Sequence, residues 1–183
     1  MGRGACGMVN NWAGLKKAVR QFGTIALGAC FVCLPTLCRA ANNCPWINEA
    51  TASGILGGDA VGQFTEAAPG QTRVCVFTQE NAGFRHTLLV SVEVAADPHE
   101  RLGMVAQICG SNAAPLKAIG NEAMTCSASD HSSAMGEHIV GRVRDQVFTI
   151  TLSTTLKNDP VLTRDALKIR IFTAAEQVSG NLF

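Results

Sequence analysis

Two histidines and two acids stand close together at Asp130, His131, Glu137 and His138. Imidazoles and carboxylates at short spacing can ligate a metal such as zinc. A histidine beside a carboxylate can also move protons in a hydrolysis. The spacing argues against both. His131 and His138 are seven positions apart with Gly136 between them, and no helical pattern holds them on one face. The expectation is a solvated polar loop leading into a β-hairpin, with no metal and no cofactor, and with Asp130 capping a turn. Glu122 and Glu137 form a second candidate, a carboxylate pair for glycoside hydrolysis, and only their separation decides it. His86 and His99, at a strand start and a helix start, are assigned structural or exposed roles. Arg142, Arg144 and Asp145 read as a solvated hairpin tip. No GxGxxG or GxxxxGK[ST] phosphate loop occurs, and Gly120 in "AIGNEA" suits a turn.

The compartment limits what these residues do. Residues 1–40 hold five basic side chains and no acid, and the remainder holds ten basic against fourteen acidic. Lys16, Lys17 and Arg20 precede the apolar run "FGTIALGACFVCLPTL", which ends in "CRAA" with small residues at Cys38 and Ala40. This three-part pattern is that of a secretory signal peptide cleaved after Ala40. Two alternatives stay open: lipidation at Cys30 within "LGAC", and a retained anchor. The expected domains are a signal peptide over 1–40 and one extracytoplasmic domain, periplasmic or secreted, over 41–183. That domain is acidic, and aromatics make up only 5% of the chain with no Tyr. It therefore lacks both the basic face and the stacking platforms of a nucleic-acid binder. Membrane contact is expected only through the leader or a lipid on Cys30.

Four cysteines follow residue 40: Cys44, Cys75, Cys109 and Cys126. An even count in an oxidising compartment makes disulfides the default. Three connectivities exist. The local one, Cys44–Cys75 with Cys109–Cys126, would contribute about 3 kcal/mol per bridge by restricting the unfolded chain. No CxxC pair occurs in this part, which argues against a zinc ribbon. A thiol nucleophile in "QICGSN" would need a spatially adjacent His that sequence cannot supply.

The elements that position these residues follow from punctuation and period. Pro suits the first position of a helix, so Cys44-Pro45, Asp97-Pro98 and Asp159-Pro160 mark three helix starts, with Asp97 and Asp159 as N-caps. Leu102, Val105, Ala106 and Cys109 form one apolar face. Leu167, Ile171, Ala174, Val178 and Leu182 form another. Alternation predicts two hairpins. One pairs "TRVCVFTQ" with "HTLLVSVEV". The other pairs "EHIVGRV" with "QVFTITLST" around Arg144-Asp145, and an extra strand falls at "NEAMTCS". The expected fold class is α+β: an antiparallel sheet from two ββα-like halves with the helices packed on one face, preceded by a short N-terminal helix.

The stretches "CPWINEATASGILGG", "VCVF", "AIGNEA" and "IVGRVRDQVFTI", with the Ala-rich C-terminal helix, carry a likeness. In them the chain resembles a family of bacterial secreted proteins and lipoproteins of unknown function, most familiar from actinobacteria. The resemblance spans most of Cys44–Phe183. It implies an extracytoplasmic α+β domain with a disulfide near its start, and it brings no catalytic residues. The poorly placed lipobox and the additional Cys109 and Cys126 depart from the family pattern. The functional expectation is an exported, disulfide-stabilised domain without enzymatic activity that binds a protein, an envelope component or a small apolar ligand. The alternatives are an extracytoplasmic hydrolase using the Asp130–His138 loop and a structural or accessory envelope protein.

Overall fold

The computed structural model describes residues 43–66, 68, 71–81, 83–128 and 134–183. The expected leader, its cleavage site, Cys30, Asp130 and His131 lie outside them. The described chain is α+β, with seven antiparallel strands in one sheet and three α-helices. In chain order these are α1 (Glu49–Leu56), β1 (Val61–Thr65), β2 (Arg73–Asn81), β3 (Phe84–Val94) and α2 (Pro98–Val105). A 3₁₀ segment (Ala106–Asn112) leads to β4 (Ala114–Leu116), β5 (Glu122–Ala128), β6 (Met135–Val143), β7 (Gln146–Thr154) and α3 (Arg164–Leu182). The sheet order is β1-β2-β3-β7-β6-β5-β4.

Each hairpin closes in two residues, with Asn81 opposite Phe84 and Val143 opposite Gln146. Between them, β3 lies against β7 from His86–Thr154 to Val94–Gln146. Alternation then sorts side chains by face. Leu88, Val90 and Val92 of β3 and Phe148, Ile150 and Leu152 of β7 are fully buried in the main core. Leu167, Ile171, Ala174, Val178 and Leu182 of α3 pack into the same core, together with Ala52, Ile55 and Leu56 of α1.

The helices do not share one face, contrary to expectation. Leu102 of α2 packs with Val140 and Val147 in a second, smaller core. The adjacent residues Ile139 and Phe148 belong to the main core, so α2 lies on the opposite side of the sheet. Topology explains this. The chain must travel from β3 to β4 at the far edge, crossing β7, β6 and β5, and α3 with α1 already occupies the main-core face. The arrangement also limits any symmetry between halves. The dyad that would relate β3 to its antiparallel neighbour β7 keeps helices on one face, whereas α2 and α3 take opposite faces.

Two helix starts also shift. Asp97 caps α2 as expected, accepting from the Glu100 N–H at 2.9 Å. α1 begins only at Glu49, capped by Asn48 through the Thr51 N–H at 2.8 Å. Pro45–Ile47 stays outside the helix because Cys44 is tied to Cys75, and Trp46 and Ile47 are buried. α3 begins at Arg164 with Thr163 as its cap, since Asp159 is engaged elsewhere. α2 stops at Val105, and Cys109 sits in the 3₁₀ segment. Gly120 makes a turn with φ 58°, where the Asn121 N–H reaches the Arg142 carbonyl at 2.8 Å. A Cβ there would collide with that carbonyl, so both the backbone angle and the close approach require glycine.

The cysteines pair as Cys44–Cys75 and Cys109–Cys126, with Cα separations of 5.7 and 5.4 Å. Both bridges fit an oxidising compartment. No helix among the described residues is long and apolar enough to cross a membrane.

Candidate functional site

The sequence candidates are dispersed by the strand period. Glu137 and His138 are consecutive in β6, so their side chains leave opposite faces of the sheet. Glu137 is buried on the main-core side and accepts from the Ser127 hydroxyl at 3.2 Å. His138 is half-buried on the α2 side, where Nδ1 meets the Thr151 hydroxyl at 2.8 Å. Glu122 pairs in register with Arg142, five positions from Glu137 along β6. That places the two carboxylates on opposite faces and about 17 Å apart along the strand, too far to flank one glycosidic bond. Among the described residues no group of three His, Cys, Asp or Glu converges.

Glu122 instead joins a surface network. It accepts from Arg142 Nη2 at 2.8 Å and from His99 Nδ1 at 2.9 Å. The Arg142 and His99 hydrogen bonds hold its carboxyl down, from 4.5 to about 2. Because the folded value is depressed, the network's contribution is present above pH 4.5 and is lost as pH falls through about 2. Replacing Arg142 with Leu should move the Glu122 carboxyl upward toward the ordinary range in a carbon-13 NMR titration. An unmoved midpoint would show that Arg142 is not the cause. Arg144 lies at the hairpin tip with φ 54°, its guanidinium 5.9 Å from the Phe183 ring centroid.

The residues that do converge are two that were assigned minor roles. His86 and Asp159 are both buried and meet at 2.6 Å through Nε2 and Oδ2. His86 Nδ1 faces the Leu56 carbonyl at 2.9 Å and Gln79 Oε1 at 2.8 Å. Both ring nitrogens are thus engaged, one by the carboxylate and the other by a backbone carbonyl and a side-chain amide. Asp159 takes three further donors: the Thr154 hydroxyl at 2.6 Å, and the Val161 and Leu162 N–H groups at 2.8 Å each. Burial works to raise its carboxyl. Thr154, Leu162, His86 and Val161 together outweigh burial and hold it at about 2 instead of 3.8. This cluster ties the end of α1, the strand β3 and the entry to α3 into one lock. It is sealed and fully engaged, which suits support of a site rather than chemistry. One signal in the sequence points to it. His86 continues the alternation of Leu88, Val90 and Val92, and a polar residue at a core position needs a buried partner.

Above the lock, around the entry to α3, lie two adjoining clefts that share Met135 and Arg164. One, of about 350 Å³, is lined by Lys157, Asn158, Asp159 and Thr163. The other, of about 230 Å³, is lined by Ser127, Ala128, Glu137 and Leu167. Glu137 is 6% exposed and its one hydrogen bond is from Ser127. The side chains of Lys157 and Arg164 are exposed and make no hydrogen bond or ion pair among the described residues. A third cleft, of about 300 Å³, lies beside α1. Its acid, Glu49, is spent on the Gly62 N–H at 2.9 Å, so the α3-entry clefts are the stronger candidate. Comparison with known proteins finds no family model, no curated protein and no solved structure that matches the chain.

Proposed function

We propose that the chain is an exported, disulfide-stabilised binding domain without enzymatic activity, and that it holds a small polar ligand in the clefts at the α3 entry. The observation that carries this reading is that Arg164 lines two adjoining clefts, one with Lys157 and the other with the buried Glu137, with no ion pair among the three. A buried carboxylate such as Glu137 without a counter-charge is costly in isolation, and a ligand bringing polar groups offsets that cost. The polar walls favour such a ligand over an apolar one. The hydrolase reading has no comparable support, because Glu137 and His138 part to opposite faces and the His86–Asp159 pair is sealed.

Two measurements test the proposal. Met135 lines both clefts, so Met135→Trp should fill them while leaving the distant disulfides in place. A thermal-shift screen of small polar metabolites should find compounds that raise Tm for the parent chain and not for Met135→Trp. Stabilisation of both alike, or of neither, would leave an accessory envelope role as the better reading. Export is tested by intact mass of the secreted protein, which should begin at Ala41. A diacylated Cys30 or an unprocessed chain would overturn cleavage after Ala40.

A further inference from the structure

We infer that the ligand of the α3-entry clefts is a small zwitterion of the α-amino-acid type, its ammonium group on Glu137 and its carboxylate toward Arg164 and Lys157. This rests on the reading of those clefts as a ligand site and names the chemistry they select.

The argument starts from the strand. Glu137 shares the main-core face of β6 with Ile139 and Val143, where an aliphatic side chain would ordinarily be buried. A carboxylate at such a position needs donors or a counter-charge. Only the Ser127 hydroxyl serves it, on Oε1 at 3.2 Å. Arg164 lines both clefts and Lys157 the larger one, and among the described residues neither comes within ion-pair distance of an acid. The clefts are thus polarised, with negative charge at the buried end and positive charge at the exposed end.

A matching ligand has the reverse polarity. A simple anion would be repelled by Glu137 if it entered deeply. A simple cation on Glu137 would share its cleft with the Arg164 guanidinium. A molecule carrying an ammonium and a carboxylate a few ångströms apart satisfies both ends at once. The volumes of about 230 and 350 Å³ have room for an amino acid, and Leu167, Ala128 and Met135 offer an apolar wall for an aliphatic side chain.

The test is a titration of the whole mature chain, followed by amide NMR, with each of the common L-amino acids up to millimolar concentration. At least one should give saturable shifts centred on Ser127, Gly136, Glu137 and Leu167. Its amine-only analogue (3-methylbutylamine in the case of leucine) and its acid-only analogue (4-methylpentanoate) should each bind about tenfold weaker or worse. Glu137→Gln, which keeps shape and removes charge, should weaken the amino acid by about tenfold or more, and Arg164→Gln should also weaken it. Equal binding by either analogue would overturn the zwitterion while keeping the ligand site. Absence of binding by amino acids and analogues alike would overturn the zwitterion, leaving the site itself to the Met135→Trp comparison. A strong stability coupling between Glu137→Gln and Arg164→Gln in the ligand-free protein would show that the two pair with each other, and would also overturn it.

Discussion

Asp159→Ala should lower the unfolding free energy by about 3–5 kcal/mol, the cost of leaving several buried polar groups without their acceptor. The carboxylate accepts from four groups: His86, the Thr154 hydroxyl and the Val161 and Leu162 N–H groups. Deleting it strands all four in a fully buried place, whereas deleting a surface acid strands none. Asp159→Asn should cost less, because it keeps volume and one acceptor. The lock also predicts a pH profile. The carboxyl is depressed from 3.8 to about 2, so its contribution of about 2 kcal/mol is complete above pH 4 and is lost as pH falls to about 2. Urea unfolding at pH 7 and at pH 2.5 would show the parent losing this increment while Asp159→Asn does not. Equal acid sensitivity in the two proteins would mean that other carboxylates set the acid limit.

What was legible in the sequence follows from period. Both hairpins, the two-residue turn of the second and the buried stripe of α3 were readable because alternation and 3.6-residue spacing are local. β1 and β4 were not. β1 has an exposed, mixed pattern at a sheet edge, and β4 is three residues long, so neither carries a burial signal. The face taken by α2 was hidden for a different reason. It depends on where β4 lies in the sheet, which no local pattern encodes. The candidate site was legible only in fragments. Glu137 was named both in the polar cluster and at the start of the strand "EHIVGRV", but its burial on the core face was not foreseen. Lys157 and Arg164 carried no signal beyond their charge. Asp159-Pro160 looked like a helix start because capping and buried turn formation use the same chemistry: a carboxylate accepting from N–H groups two or three residues ahead. Only the partner His86, 73 positions away, distinguishes the two.

Removing the Cys44–Cys75 bridge, with both residues changed to Ala, should cost about 3–4 kcal/mol, and more than removing Cys109–Cys126. The first bridge closes a span of 31 residues and the second one of 17, so the loop-entropy difference alone is about half a kcal/mol. The rest comes from what each bridge holds. Cys75 is fully buried in β2, and its partner fixes the segment that places Trp46 and Ile47 in the main core. Trp46 meets the Phe64 ring edge-on at 6.2 Å, and Arg73 stacks over it at 5.3 Å. The Asn181 side chain donates to its carbonyl from the far end of α3 at 2.8 Å. Freed from Cys75, this segment keeps those contacts and the core packing of Trp46 and Ile47 but loses its covalent tie to the sheet. Its opening would expose the sole tryptophan that follows residue 40. The Cys44/Cys75 double variant should therefore show red-shifted tryptophan emission before global unfolding, and the Cys109/Cys126 variant should not, since its bridge ties the 3₁₀ segment to β5 on the other face. A non-reducing peptide map that found crossed connectivity would remove the basis for this asymmetry. Identical emission and stability in the two variants would show that the N-terminal segment holds its place without the bridge.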